Sequence, residues 1–274
     1  MTAKARFAET LTDPAIQIPR HPLSVRAKSW FVWLAIAGLL IWSWAPTEIE
    51  KALNLITDWP NMAEFAAGFA EPNFSNAGAY IWEMIETVQI AIWATALAVL
   101  LGIPFSIFAS ANICPWWIVQ PVRRLMDVFR AIHEMVFALL FVVAVGLGPL
   151  AGVLALAVHN TGIIAKLFSE AVESIDPRPV EGIRATGANR LQEVVFGVVP
   201  QVMPLWSSLT LYRFETNVRS ATVLGIVGAG GIGQSLYENM RSFNYADTAT
   251  IILIVIATVV IVDMLSALIR KMLL

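Results

Sequence analysis

The sequence predicts an all-α fold, an integral membrane helical bundle with about six transmembrane helices. Three observations lead there. Of 274 residues, 58% are hydrophobic and only 14% charged, against about 25% charged in soluble domains, so polar groups are too few to cover a water-facing surface. Six apolar runs are long enough to cross about 30 Å of hydrocarbon. The arginines and lysines then fall almost wholly on one side of those runs, the bias that sets the orientation of a membrane protein.

The expected spans are residues 29–44, 88–109, 125–146, 149–168, 194–212 with a polar continuation to 227, and 248–269. Thirteen of the eighteen basic residues share one face: Lys4, Arg6, Arg20, Arg26 and Lys28 before the first span, Arg123 and Arg124 between the second and third, Lys166, Arg178, Arg184 and Arg190 between the fourth and fifth, and Arg270 and Lys271 after the last. The opposite face carries Lys51 and Arg241 among Glu48, Glu50, Asp58, Glu64, Glu71, Glu238 and Asp247. Both termini are therefore expected in the cytoplasm. Residues 1–28 read as a cytoplasmic N-terminal arm and 29–274 as a transmembrane domain, with 46–80 an acidic segment on the far side and 169–193 a cytoplasmic connection.

Several functions are excluded at this stage. The single Cys114 rules out an internal disulfide or a cysteine metal cluster. His21, His133 and His159 lie too far apart in sequence to suggest a metal site. There is no G-x-x-x-x-G-K-[ST] run, so any ATP hydrolysis must come from another chain. Residues 226–236, IVGAGGIGQSL, do contain G-x-G-x-x-G at Gly228, Gly230 and Gly233. A dinucleotide turn needs an acid at the end of the second strand, whereas Asp247 comes before the next apolar run, which is long enough to span a bilayer. Gly228, Gly230, Gly231 and Gly233 are better read as a gating or packing element, where small residues let backbones approach closely at a subunit contact or in a re-entrant loop.

Charged residues within membrane spans are costly and tend to line a cavity or to be paired. In LYRFETNVRSA, residues 211–221, Arg213, Asn217 and Ser220 share one helix face, while Glu215 and Arg219 are spaced as a separate i, i+4 pair. The five are candidates for a substrate path in which a guanidinium grips an oxyanion, or for a structural network near the interface. Arg130 and Glu134 are spaced for an intrahelical pair with a structural or gating role; with Asp127 and His133 they also admit proton coupling. His159, beside Asn160 and mid-way along the fourth span, either meets substrate or bonds a neighbouring helix.

Between the fourth and fifth spans, Pro177 and Pro179 end one helix, and residues 180–186 read as a short amphipathic helix stopped by Gly187. Such a stub, offering Ile183 flanked by Glu181 and Arg184, suits a partner's groove. The run from Glu181 through Gly187 to Val199 and Pro200 resembles the E-A-A-x3-G-x9-I-x-L-P signature of permease subunits in binding-protein-dependent ABC importers; Glu181, Gly187 and Pro200 match, Val199 nearly so, and Gly182, Ile183 and Gly197 depart. LYRFETNVRSATVLGIVGAGGIGQSL and VGLGPLAGVLALAVHNTG resemble phosphonate ABC transporter permeases, and the likeness runs from about residue 125 to the end.

The resemblance implies the type I ABC importer permease fold and import of a phosphonate or related small phosphorus oxyanion across a bacterial inner membrane. It implies a homodimer in the lipid, two ABC ATPase subunits that bind ATP and Mg, and a periplasmic phosphonate-binding protein. No cofactor is expected on this chain, nor any catalytic residue, bound metal or nucleic-acid partner. Glu173, Glu181, Arg184 and Gly187 are the residues expected in ATPase coupling. A methionine-type ABC permease, a proton-coupled secondary transporter and, more remotely, a membrane oxidoreductase are the competing readings.

Overall fold

A computed structural model describes residues 23–273. Most of the expected N-terminal arm, residues 1–22, therefore lies outside the described residues, while residues 23–28 belong to the first helix. The chain divides into two compact units, Met1–Phe65 and Ala66–Leu274. The described part of the first holds α1 (Leu23–Trp44), a 3-10 turn (Ile49–Leu53), α2 (Asn54–Thr57) and the start of α3 (Trp59–Ala67). Trp30, Phe31, Trp33, Leu40, Ile41 and Trp42 of α1 are all exposed. A helix apolar on every face suits lipid rather than water.

The second unit consists of α4 (Ala77–Ala109), α5 (Trp116–Ala131), α6 (Glu134–Val145), α7 (Pro149–Glu173), α8 (Pro177–Ala185), α9 (Arg190–Gln192) with a π turn (Glu193–Val198), α10 (Val199–Leu224), a 3-10 turn (Gly225–Val227), α11 (Gly233–Arg241) and α12 (Tyr245–Leu273). No strand occurs among the described residues. α4 and α7 pack most extensively, and α10 lies against α4, α7 and α12. Small residues permit this closeness: Ala94, Ala138, Ala151, Ala155, Ala221 and Ala229 are buried together. A Cβ on Gly162 would meet the Met126 carbonyl oxygen at 2.7 Å, so α7 presses its backbone against α5. Toward the other end of the bundle the rings of Phe168 and Trp206 stack at 4.6 Å.

Among the described residues, four helical segments are long and apolar enough to cross a membrane, Ala77–Ala109, Pro149–Glu173, Arg190–Val227 and Tyr245–Met272; two bent pairs raise the number to six if each counts as one span. The expected third span, 125–146, is not one straight helix. It is broken between α5 and α6 with an 86° bend. Ile132 and His133 are both extended, and His133 caps α6 by accepting the Met135 N–H on Nδ1 at 3.2 Å, so two helices meet where apolar composition alone suggests one. The second, fourth and sixth spans exist but run longer, as Ala77–Ala109, Pro149–Glu173 and Tyr245–Leu273.

The glycine motif is a turn packed within the chain. Gly228, Gly230 and Gly231 have φ of 80°, 82° and 77°, backbone that side chains rarely tolerate. The Gly231 and Ile232 N–H groups donate to Glu86 Oε1 and Thr87 Oγ1 of α4, each at 2.9 Å, and Gly148 N–H donates to Gly228 O at 2.9 Å. Gly225 and Gly233 face each other so closely that a Cβ on Gly225 would lie 2.6 Å from Gly233 Cα. The close approach thus joins α10 and α11 and binds them to α4 and the start of α7.

Candidate functional site

A polar network crosses the interior of the bundle on α4, α7 and α10. Thr95 donates to Ala91 O at 2.7 Å and accepts from Asn217 Nδ2 at 2.8 Å. Asn217 Oδ1 accepts from Asn160 Nδ2 at 2.7 Å, and Asn160 Nδ2 also donates to Leu156 O at 2.9 Å. Asn160 Oδ1 accepts from Arg213 Nε at 3.0 Å and from Arg213 Nη2. Both amides are 1% exposed. Turning either amide over would set donor against donor and acceptor against acceptor, so the series is directional and ends on the guanidinium.

Beside it lies a second cluster. Ser220 on α10 donates to Glu134 Oε1 at 2.8 Å, and the other carboxylate oxygen of Glu134 lies 3.2 Å from His159 Nε2 on α7. His159 Nδ1 is 2.8 Å from the Ile132 carbonyl at the α5–α6 break. Arg213, Asn217 and Ser220 therefore do share a face, and His159 bonds a neighbouring helix. Among the described residues no group of three metal-ligating side chains comes together.

Two expected pairings are corrected. Glu215 and Arg219 do not pair with each other: both face α12, where Glu215 lies 2.8 Å from Arg270 and Arg219 3.4 Å from Asp263. The opposite charges are closer across the helix interface than along α10. Arg130 and Glu134 do not pair either, because the break separates them; Arg130 turns back to Asp127 at 2.8 Å. Lys166 pairs with Glu170 at 3.0 Å. Thr95, Asp263 and Arg270 were missed, since a lone hydroxyl in an apolar run, or an acid and a base far along the chain, carries no local spacing signal.

The connection after α7 forms an exposed stub. Pro177 opens α8, and the Asp176 carboxylate accepts the Arg178 N–H at 3.0 Å as its N-cap. The Arg178 guanidinium on the same carboxylate holds it below the ordinary carboxylate range. Gly187, at φ 86°, ends the stub by donating to Arg184 O at 3.0 Å. Arg184 makes a two-pronged bond to Glu193, 2.9 Å on each arm, which raises the basicity of the guanidinium and ties α8 to the π turn. Glu181 is exposed, and Ile183, Thr186, Gly187, Ala188, Gln192 and Phe196 line a shallow groove beside it. Glu173 lies before the stub and accepts from Ala111 N–H at 2.6 Å and from Arg123, which holds the α4–α5 turn to the end of α7.

Gly197 lets the stub sit close to the π turn. A Cβ there would lie 3.1 Å from Val180 Cγ2, 3.2 Å from Val180 Cα and 3.4 Å from Ile183 Cδ1.

Comparison with known proteins fits this arrangement. Residues 102–273 match the family model described as binding-protein-dependent transport system inner membrane component. A phosphite transport system permease protein of Stutzerimonas stutzeri is 39% identical over 221 residues, 80% of each chain. A putative cryptic phosphonate transport system permease protein of Escherichia coli strain K12 is 59% identical over 118 residues, 43% of this chain and 97% of the relative. Among solved structures, the inward-facing MetNI methionine ABC transporter superposes with a TM-score of 0.63 at 20% identity, covering 71% of this chain and 96% of that one, a likeness of fold. The chain belongs to the family of binding-protein-dependent transport system inner membrane components.

Proposed function

We propose that the chain is the permease subunit of an ATP-driven importer that moves a phosphonate, phosphite or similar small phosphorus oxyanion across the bacterial inner membrane. The observation that carries the coupling half is the α8 stub: a short capped helix, braced by Arg184 and Glu193, with Glu181 exposed and a groove of mixed polarity lined by Ile183, Gln192 and Phe196. A rigid helix of this kind transmits a partner's motion because it is fixed to the π turn that leads directly into α10. Two such chains would assemble with two ATPase subunits, which bind ATP and Mg and perform the hydrolysis, and with a periplasmic binding protein. Both termini would face the cytoplasm, in keeping with the bias of basic residues. The names of the 39% and 59% identical relatives support the substrate class.

The test is uptake of labelled oxyanion into liposomes holding the permease, its ATPase and its binding protein. Accumulation should require internal ATP and should vanish when the permease is reconstituted alone. Glu181→Lys should detach or uncouple the ATPase. Uptake that follows a proton gradient and ignores ATP would favour a secondary transporter instead, and normal coupled turnover in Glu181→Lys would refute the docking role.

A further inference from the structure

Arg213 differs from the other arginines of α5, α10 and α12. Arg130, Arg219 and Arg270 each hold a carboxylate, on Asp127, Asp263 and Glu215. Arg213 holds a neutral amide oxygen, and among the described residues no carboxylate lies within ion-pairing distance of it. The charge that acts on it at longer range, Glu134, is already engaged by Ser220 and His159. A guanidinium has five donors. Nε and one hydrogen of Nη2 are used on Asn160 Oδ1, which leaves the outer edge of the fork free.

The amides make this deliberate. Asn160 is saturated: its two N–H groups go to Leu156 O and Asn217 Oδ1, and Asn217 is anchored in turn on Thr95. The chain can neither flip nor neutralise the arginine, and it holds the guanidinium plane in one orientation. An arginine in a membrane span is costly, and a fixed carboxylate would relieve that cost while cancelling the charge.

We infer that Arg213, oriented by Asn160, Asn217 and Thr95, is an intramembrane binding site for the transported tetrahedral oxyanion. The planar fork meets two oxygens of such an anion at once. Without a resident counter-ion, the solute supplies the opposing charge only while it passes, and binding stays weak enough for release. The inference rests on the importer reading above.

The experiment uses the complete complex with its ATPase and binding protein in liposomes, with phosphite, inorganic phosphate and methylphosphonate as labelled probes. Arg213→Gln keeps a donor for Asn160 Oδ1 and removes the charge; Arg213→Lys keeps the charge. With assembly checked by co-purification of the ATPase, uptake should fall about tenfold or more in Arg213→Gln, the scale of a lost charged hydrogen bond, and should be recovered only in part in Arg213→Lys, which keeps the charge without the planar fork. Asn160→Asp, which gives Arg213 a permanent counter-charge while turning an acceptor toward Leu156 O and Asn217 Oδ1, should also lose uptake in a complex that still co-purifies with its ATPase. Parental uptake in Arg213→Gln or Asn160→Asp, or an Arg213→Lys variant as slow as Arg213→Gln, would overturn the site. A parent complex that accumulates none of the three probes is a different result, since it overturns the phosphorus-oxyanion reading itself.

Discussion

Glu134 and His159 lie 3.2 Å apart across the helix break, with side chains only 18% and 12% exposed. His159 also meets the Ile132 carbonyl that the end of α5 leaves without a helical partner. One imidazole thus ties together the C-terminus of α5, the first residue of α6 and the middle of α7.

Removing one member of such a pair leaves a buried polar group without its partner. His159→Phe should therefore cost about 3 kcal/mol and lower the thermal midpoint of the detergent-solubilised protein. Glu134→Gln should cost less, because its amide still has a donor and an acceptor to offer. In the double variant the two losses should sum to more than the measured total. Additive losses would show that the two side chains are not coupled.

The close approach of Val180 and Ile183 to Gly197 makes a second prediction. Gly197→Ile alone should overpack the seat of α8 against Val180 and Ile183, at about 1–3 kcal/mol, and weaken retention of the ATPase on affinity purification. Ile183→Ala added to it should recover much of that retention. Failure of the double variant to improve on Gly197→Ile would mean that the two positions do not share the space.

A third prediction concerns acid. The Asp176 carboxylate is held below its ordinary range by Arg178, so its folded form binds protons less readily than the unfolded chain. Its contribution to α8 is present in full above the ordinary carboxylate range and is lost as pH falls through the lower folded value. Hydrogen-exchange protection of the Val180 to Arg184 amides should decline below about pH 4. Asp176→Asn keeps an N-cap acceptor without a titrating group, and its protection should change less over the same interval. Identical acid profiles for the two proteins would exclude Asp176 as the origin.

The stub was legible in advance because its signals are local. The apolar stripe and Gly187 each act within one or two turns of the chain, and the helix appears at Pro177–Ala185 instead of 180–186, because Pro177 and Pro179, read as ending one helix, sit in the first turn of the next. The shared face of Arg213, Asn217 and Ser220 was equally legible, since helical periodicity alone sets it. The pairs Arg130 with Glu134 and Glu215 with Arg219 were misread for the complementary reason. Sequence spacing measures closeness along one helix and is blind both to a break in that helix and to a better partner on the next.

By itself, then, the amino-acid sequence determined residence in the membrane, the order of the long apolar helices and the position of the exposed stub, because hydropathy, periodicity and capping act over a few neighbouring residues. Tertiary structure decided that the third span bends at Ile132, that Glu215 and Arg219 turn to α12, and that Arg213 ends a chain of neutral amides without a carboxylate. Those outcomes depend on how each helix is rotated about its axis against its neighbours. That rotation is set by the summed packing of small residues across whole interfaces, which no short stretch of the chain contains.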